Sequence, residues 1–329
     1  MALRDYLVSE IAVDHADGLL TRREALRRLG LMGLGAAAAG SVLAACSGND
    51  AGDTAAATSA GGSSTTAGTG ATTAATAPAT SDGSTTSAAA THTSSTSSTT
   101  ASAGAAAPIT FGGPAGTLMG AYAGAAGPSG GLLIIHENRG LTPHFQSMPD
   151  RFAAAGLNTL ALDLLSRVGG TAGLGDDAAA TAALGNAAAA DLIADMRAGL
   201  DELARRTPGK KLAIMGFCFG GGQVWSLLNA GEPRLAAAIP CYGPGPANAN
   251  FSGSPNAAVM GVYAELDTRV NASRDAMEAA LTTAGLTHEL RTYPGADHAF
   301  LNDTGARYNP TQATAALADI QAWLTRHLA

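Results

Sequence analysis

The chain contains 329 residues, 46% of them hydrophobic and only 5% aromatic, and it carries a formal net charge of −7. This length accommodates one large domain with appended segments. The mild acidity argues against a nucleic-acid partner, because nucleic-acid phosphates require a basic surface. Composition changes twice along the chain and divides it into residues 1–46, 47–107 and 108–329.

The first segment, residues 1–46, has the features of an export signal. Arg22 and Arg23 lie in the sequence TRREAL, which matches the twin-arginine pattern, and an uncharged run rich in Ala and Gly follows from Leu29 to Ala45. The run ends in LAAC at Cys46, which is typical of a bacterial lipobox. Its 17 residues are fewer than the roughly 20 that a membrane-spanning helix needs.

We therefore expect export by the twin-arginine machinery, cleavage before Cys46 and attachment of lipid to that cysteine. The mature protein would be an extracytoplasmic lipoprotein, held at the membrane by its lipid anchor. The alternative is a pair of internal amphipathic helices with a chance Arg-Arg. The sequence assigns no role to the partly acidic segment from Met1 to Leu20.

The second segment, residues 47–107, consists almost entirely of Ala, Gly, Ser and Thr. No apolar side chain larger than Ala occurs in most of it, so burial cannot offset the entropy lost on ordering. We predict a disordered tether without functional residues.

The third segment, residues 108–329, has the pattern of a globular catalytic domain. Strands are predicted at Thr117–Ala123, Leu132–Glu137, Leu157–Asp163, Lys211–Phe217, Leu235–Cys241, Ala258–Glu265 and Thr287–Tyr293. Helices are predicted at Gln146–Ala155, Asp176–Arg206, Phe219–Asn229, Ser273–Ala284 and Thr311–His327. Apolar strands that alternate with helices indicate an α/β fold, with a mostly parallel, doubly wound sheet covered by helices on both faces. The active site of such a sheet lies at the carboxyl ends of its strands.

The sequence GFCFGG, from Gly216 to Gly221, places a thiol where a strand turns sharply into a helix. We predict a nucleophile elbow with Cys218 at its tip and the sulfur exposed above the sheet. The flanking glycines permit the close backbone approach that such an elbow requires. The positive end of the following helix is expected to lower the pKa of the thiol. The alternative is a buried structural cysteine in a Gly-rich turn.

A cysteine nucleophile needs a base, and the base needs a third group to orient it. His298 lies just past the last predicted strand, and Asp267 follows the strand that ends at Glu265. The chain order of nucleophile, acid and histidine is that of α/β-hydrolases. Glu265 and Asp297 compete with Asp267 for the acid's role. We favour Asp267, because Glu265 still belongs to the strand and Asp297 is too close to His298 in sequence to face it.

Residues 108–329 resemble the dienelactone hydrolase family of α/β-hydrolases, the carboxymethylenebutenolidase-like enzymes. The resemblance rests on the GFCFGG elbow, on HENRGL from His136 to Leu141, on LDLLSR from Leu162 to Arg167 and on the loop from Gly295 to Phe300. It implies an α/β-hydrolase fold and cleavage of ester or lactone bonds.

The resemblance also implies that Glu137 is a gate, which accepts the thiol proton once substrate has displaced its carboxylate from an arginine. A carboxylate near a buried thiol is expected to have a raised pKa on physical grounds as well. The alternative is a glutamate that is merely paired with Arg139 or Arg167. The backbone N–H groups of Asn138 and Phe219 would stabilise the developing oxyanion.

The family binds a substrate carboxylate with two arginines. Arg167 matches the first of them, and Arg139 is a further candidate contact. The position four residues after His298, which matches the second arginine, holds Asn302 here. An asparagine cannot replace a bidentate, charged contact, so the sequence does not predict tight selectivity for a carboxylated lactone.

We predict a hydrolase that cleaves ester or lactone bonds of a small-molecule substrate through a Cys218-His298-Asp267 triad and an acyl-thioester intermediate. No cofactor or metal is expected, because no cluster of His, Cys and carboxylates has metal-ligand spacing. A carboxylesterase or thioesterase of different substrate range is the nearest alternative. A thiol redox protein and a non-catalytic surface-binding module are alternatives of other classes, and neither needs His298 or Asp267. Cys241 is predicted to be a small core residue.

Overall fold

The protein is described from a computed structural model that covers residues 3–46 and 104–329. Most of the predicted tether, residues 47–103, lies outside the described residues. The two described stretches belong to one compact unit, in which the N-terminal helices pack with the sheet domain.

An eight-stranded sheet forms the centre of the described structure. Its strands are β1 (Ala107–Gly113), β2 (Gly116–Ala123), β3 (Gly130–Ile135), β4 (Leu157–Asp163), β5 (Leu212–Phe217), β6 (Leu235–Cys241), β7 (Ala258–Ala264) and β8 (His288–Tyr293). Their order across the sheet is β1-β2-β4-β3-β5-β6-β7-β8. β2 is antiparallel to both β1 and β4, and all the other neighbours are parallel. β3, β4, β5 and β7 are buried along their whole length, which accounts for their unbroken apolar sequences.

Ten helices accompany the sheet in the described ranges: α1 (Leu3–Ala16), α2 (Arg22–Leu31), α3 (Ala36–Cys46), α4 (Pro143–Ala154), α5 (Asp177–Asn186), α6 (Ala189–Arg206), α7 (Phe219–Asn229), α8 (Thr268–Asn271), α9 (Arg274–Thr283) and α10 (Pro310–Leu328). Helices flank the mostly parallel sheet, and this arrangement confirms the predicted α/β-hydrolase fold.

The sheet domain differs from the sequence prediction at β1, at α5 and α6, and at the four-residue helix α8, which was not predicted. β1 was not predicted, because it is a partly exposed edge strand that lacks a continuous apolar run. The single helix predicted at Asp176–Arg206 is two helices, α5 and α6, because the backbone of Ala187 and Ala188 is extended. Gly185 and Asn186, which are poor helix formers, immediately precede this break.

The three N-terminal helices bury apolar side chains within the same unit. Leu7 and Ile11 of α1 and Leu29 of α2 are at most 1% exposed. α5 lies close by, because a Cβ added to Gly185 would be 2.7 Å from Met32 and 3.3 Å from Leu7. No helix within residues 3–46 and 104–329 combines the length and the apolarity needed to span a membrane. The export signal and the three-segment division of the chain remain predictions.

The topology brings distant parts of the chain to one edge of the sheet. Cys218 directly follows β5, Asp267 follows β7, and His298 follows β8. These three strands run parallel, so their carboxyl ends lie at the same edge.

Candidate active site

Cys218 occupies a sharp turn between β5 and α7. Its backbone has φ 55° and ψ −116°, a combination that residues other than glycine rarely adopt. The turn also requires glycine on both sides. A Cβ on Gly216 would lie 2.2 Å from the carbonyl oxygen of Gly220, and a Cβ on Gly220 would lie 2.4 Å from that of Ile135. This geometry agrees with a nucleophile elbow that carries a thiol at its tip.

His298 and Asp267 form a buried pair beside the elbow. His298 Nδ1 lies 2.5 Å from Asp267 Oδ2, and each side chain is 4% exposed. Asp267 is oriented by its place before α8, where its other oxygen accepts a hydrogen bond from the backbone N–H of Val270 at 3.1 Å. Glu265 and Asp297, the two competing acids, accept hydrogen bonds from backbone N–H groups instead. Asp267 is therefore the acid that orients the imidazole ring, as in Ser-His-Asp triads.

A cavity of about 320 Å³ opens beside Cys218 and His298. The ligand atoms of these two residues and of Glu10 all lie within 4.8 Å of one another. Within the described part of the chain, this group has a spacing that could hold a metal ion. Arg269 is already paired with Glu10, however, and its positive charge disfavours a cation at this point.

The thiol of Cys218 is buried, at 3% exposure, whereas the sequence predicted an exposed sulfur. Helix α1 covers it, and the hydroxyl of Tyr6 lies 3.3 Å from Sγ. Burial raises the pKa of the thiol, and the negative charge of Glu10 raises it further, while His298 acts in the opposite direction. The predicted lowering of this pKa by the helix terminus is therefore not found with α1 in place.

Glu137 lies just after β3 and is held by two uncharged groups. Asn302 Nδ2 donates to one carboxylate oxygen at 2.9 Å, and the hydroxyl of Tyr242 donates to the other at 3.4 Å. Burial raises the pKa of Glu137, which is the direction expected from the sequence. Neither Arg139 nor Arg167 pairs with this carboxylate, so its partners differ from those that the resemblance implied.

The two expected oxyanion donors flank the elbow. Phe219 is the first residue of α7, where backbone N–H groups have no partner within the helix. Asn138 follows β3 and lines the cavity. Arg139 also lines the cavity, but its guanidinium lies 3.4 Å from Asp177 and is 46% exposed. Arg139 thus contributes positive charge at the solvent side of the cavity.

Arg167 does not reach the cavity, although the sequence predicted a substrate contact. Its Nε and Nη2 donate to the two carboxylate oxygens of Asp195 at 2.7 and 2.9 Å. Its Nη1 lies 3.1 Å from Asp191. Asp195 is fully buried, so the arginine compensates a charge that would otherwise have no partner. Arg167 occupies the position of the family's first arginine in the sequence motif. Two acids of α6, however, bind its guanidinium away from the cavity.

Sequence reasoning missed the part of the site that α1 supplies. Glu10 Oε1 lies 3.2 Å from His298 Nε2, and the other oxygen of Glu10 pairs with Arg269. Arg307 lines the same cavity. The position of Arg269, shortly after a strand's carboxyl end, was a usable signal. No sequence signal indicates that Glu10, 208 residues before Cys218, reaches the site.

The profile of the dienelactone hydrolase family matches residues 118–328, which is nearly the whole sheet domain. The chain belongs to the dienelactone hydrolase family. This confirms the resemblance found in the elbow and loop motifs and identifies the sheet domain as that of a hydrolase.

Relatives of this hydrolase carry related names. One from Yersinia pestis is 30% identical over 216 residues, which are 61% of this chain and 79% of the relative. Another, from Methylorubrum extorquens, is 29% identical over 216 residues, or 61% of this chain and 73% of the relative. A third, from Saccharolobus solfataricus, is 35% identical over 117 residues, 36% of this chain, and the match spans less than half of that relative, 45%. All three names contain the word carboxymethylenebutenolidase.

Solved structures show the same fold. A protein from Klebsiella pneumoniae, whose description contains the words dienelactone hydrolase, has a TM-score of 0.58 at 27% identity and covers 68% of this chain and 99% of its own. The dienelactone hydrolase from Anabaena variabilis has a TM-score of 0.53 at 19% identity and covers 68% and 98%. Each comparison leaves about a third of this chain unmatched.

Proposed function

We propose that this hydrolase cleaves an ester or lactone bond of a small-molecule substrate by nucleophilic attack of Cys218. The observation that carries the proposal is the strained elbow, which holds the thiol beside the buried pair of His298 and Asp267. A cysteine with a purely structural role would not need a φ of 55°. It would also not need glycines on both sides at positions where a Cβ would clash with the backbone. The proposal requires no cofactor.

The first half of the reaction forms an acyl-thioester. The thiol proton of Cys218 first passes to the neutral imidazole of His298, and the sulfur of the resulting thiolate then bonds to the carbonyl carbon. The carbonyl electron pair moves onto oxygen, where the N–H groups of Phe219 and Asn138 stabilise the charge. The intermediate then breaks its bond to the leaving alcohol, which takes the proton from His298. The acyl group remains on sulfur.

The second half of the reaction releases the acid. A water molecule gives a proton to His298 and bonds its oxygen to the acyl carbon. The carbon–sulfur bond breaks, and the thiolate recovers the proton from the imidazolium. Asp267 stabilises the imidazolium in both halves.

We assign Glu137 as a second proton acceptor for the thiol. Burial raises the pKa of Glu137, so this pKa lies closer to that of a thiol than the pKa of an ordinary glutamate does. Its release would involve Asn302 and Tyr242 rather than an arginine. Because Arg167 is bound to Asp195, this arginine should not make the enzyme prefer carboxylated lactones over other small esters.

The nucleophile can be tested with a matched pair of cysteine variants. Cys218→Ala should lose hydrolysis of aryl esters and lactones by roughly a thousandfold or more, because the covalent step disappears. Cys241→Ala is the control, because this second buried thiol donates to the carbonyl oxygen of Ile239 rather than to a proposed catalytic side chain. Steady-state kinetics on both purified variants is the measurement, and substantial activity in Cys218→Ala would contradict the mechanism.

We further propose that the protein is exported by the twin-arginine route and anchored through lipid on Cys46. The exposure of Arg22 and Arg23 at the beginning of α2 supports recognition of this pair. In a bacterial host, replacing both with lysine should block export, while Arg27→Lys in the same helix should not. Cys46→Ala should move the protein out of the membrane fraction. Fractionation of the cells decides the point, and membrane retention of Cys46→Ala would exclude the lipid anchor.

A further inference from the structure

Helix α1 presents a regular stripe of polar side chains to the thiol of Cys218 and to the catalytic cavity. Tyr6, Glu10 and Asp14 are four residues apart, so they share one face of the helix. The Tyr6 hydroxyl lies 3.3 Å from Cys218 Sγ, and Glu10 Oε1 lies 3.9 Å from the same sulfur. Asp14 accepts a hydrogen bond from Arg307 at 2.9 Å. One helix therefore contacts the thiol and forms part of the wall of the cavity beside it.

Glu10 takes the place that the thiolate would have beside His298. A cysteine nucleophile acts as a thiolate paired with an imidazolium. Here the imidazole nitrogen that faces the sulfur lies 3.2 Å from Glu10 Oε1. Burial alone would raise the pKa of Glu10, but the charges of His298 and Arg269 outweigh it and lower that pKa. Glu10 is thus ionised and forms an ion pair with the imidazolium of His298, while Cys218 remains a buried, neutral thiol.

Two arginines, Arg269 and Arg307, line a second cavity that also contacts Glu10 and His298, and they give it positive charge. Arg269 donates a hydrogen bond to Glu10 and lies over the ring of Tyr6, 4.5 Å from its centroid. Arg307 binds Asp14 and lies 2.5 Å from an oxygen of Asp17. Among the described residues, Nε and Nη1 of Arg269 have no hydrogen-bond partner and no contact with solvent. Its guanidinium can therefore bind more acceptor atoms than α1 provides.

We infer that residues 3–46 are an intramolecular inhibitor of the hydrolase, in which the acids of α1 pair with Arg269 and Arg307 and Glu10 lies against His298. The inference rests on the proposed function. The buried Leu7 and Ile11 hold the helix in place. The predicted cleavage before Cys46 would remove all of these side chains and leave the thiol accessible, so processing would activate the enzyme.

Point variants of the full chain test the inference without truncation. Glu10→Gln removes the charge that competes with the thiolate and keeps the shape of the side chain. The double variant Asp14→Asn with Asp17→Asn weakens the attachment of α1 to Arg307 and leaves Glu10 unchanged. Asp5→Asn is the control, because Asp5 is an exposed acid of the same helix.

The readouts are the rate at which iodoacetamide alkylates Cys218, followed by mass spectrometry of the peptide that contains it, and kcat/KM for an aryl ester. Both test variants should react about tenfold faster than the unmodified chain, because the accessible state becomes dominant. Asp5→Asn should stay within about twofold of it. Ultraviolet absorbance of the thiolate at neutral pH should rise in Glu10→Gln.

The two readouts separate the inhibitor from the hydrolase. Equal alkylation rates in the unmodified chain, Glu10→Gln and the double variant would overturn the inhibitory role, whatever the hydrolysis. Faster alkylation without ester or lactone hydrolysis in any variant would support the inhibitory contact and overturn the proposed function. If Glu10→Gln does not fold by circular dichroism, the double variant decides, because it leaves the side chain of Glu10 unchanged and removes charges that, among the described residues, pair only with Arg307.

Discussion

At the scale of single residues, the chemistry of the site depends on which group pairs with His298. Burial alone would lower the pKa of this histidine, but Glu10, Cys218 and Asp267 raise it well above its ordinary value. The imidazole therefore holds its proton in this conformation, and the nearest negative charge at Nε2 belongs to Glu10. In the proposed mechanism, nucleophilic attack requires that the thiolate of Cys218 replace Glu10 as the partner of His298.

We predict that Arg167 supports the fold rather than the selection of substrate, because its guanidinium is bound by Asp195 and Asp191. Arg167→Ala should lower the free energy of unfolding by roughly 3 kcal/mol, because it leaves the fully buried Asp195 without its partner. The ratio of kcat/KM for an acidic and a neutral ester of equal size should not change. Denaturant unfolding and matched kinetics measure the two effects.

The matched control for Arg167 is Arg139→Ala. Arg139 pairs with Asp177 at the surface, where both side chains are about half exposed, so its loss should change stability by less than about 1 kcal/mol. A selective loss of activity on the acidic ester in Arg167→Ala would restore its assignment as a carboxylate-binding residue.

At the scale of secondary-structure elements, the junction of β5 and α7 determines the position of Cys218, the proposed nucleophile. The turn brings the backbone of α7 against the carboxyl end of β3 so closely that no side chain fits between them. The strained conformation of Cys218 is therefore maintained by packing of backbone on backbone, which cannot relax by a change of rotamer.

Gly220→Ala should destabilise the fold by about 3 kcal/mol and abolish most hydrolysis, because its Cβ would lie 2.4 Å from a backbone oxygen. Gly222→Ala is the control in the same turn of helix, since its Cβ would have its nearest contact at 3.5 Å, with Pro244. Denaturant unfolding and ester kinetics of the two variants are the measurements. Equal stability of the two would show that the elbow tolerates a side chain at Gly220.

At the scale of the whole molecule, the N-terminal helices and the hydrolase domain are joined through a buried ion pair. The folded-state pKa of His298 lies above its ordinary value of 6.5, so its contribution to stability is complete below that value and is lost as pH rises through the raised pKa. The pKa of Glu10 lies below its ordinary value of 4.5, so its contribution is present above that value and is lost as pH falls through the lowered pKa.

The pair should therefore stabilise the full chain most between these two ranges. The difference in free energy of unfolding between the unmodified chain and Glu10→Gln should be largest between about pH 4.5 and 6.5, and it should shrink at alkaline and at strongly acidic pH. Asp5→Asn should follow the unmodified chain at every pH. Denaturant unfolding over a pH series measures this, and a difference independent of pH would show that Glu10 does not pair with His298 in solution.

Several features of the molecule follow from the sequence by itself, because each has a local signature. The apolar runs of the parallel strands indicate a sheet that is buried on both faces. The glycines around Cys218 indicate a turn in which the backbone leaves no room for side chains. In the structure, a Cβ on the flanking glycines would clash with backbone atoms. Asp267 and His298 could be selected because each follows a strand whose carboxyl end lies at the same edge as β5.

Other features were decided only by tertiary packing, because the partners lie far apart in the chain. Arg167 matches a family motif, but the acids that bind it belong to α6, 24 and 28 residues further along. The contact between Glu10 and Cys218 joins positions 208 residues apart. A single sequence contains no periodicity or spacing that reports such a pairing, because it depends on how whole helices dock and which charges burial then forces together.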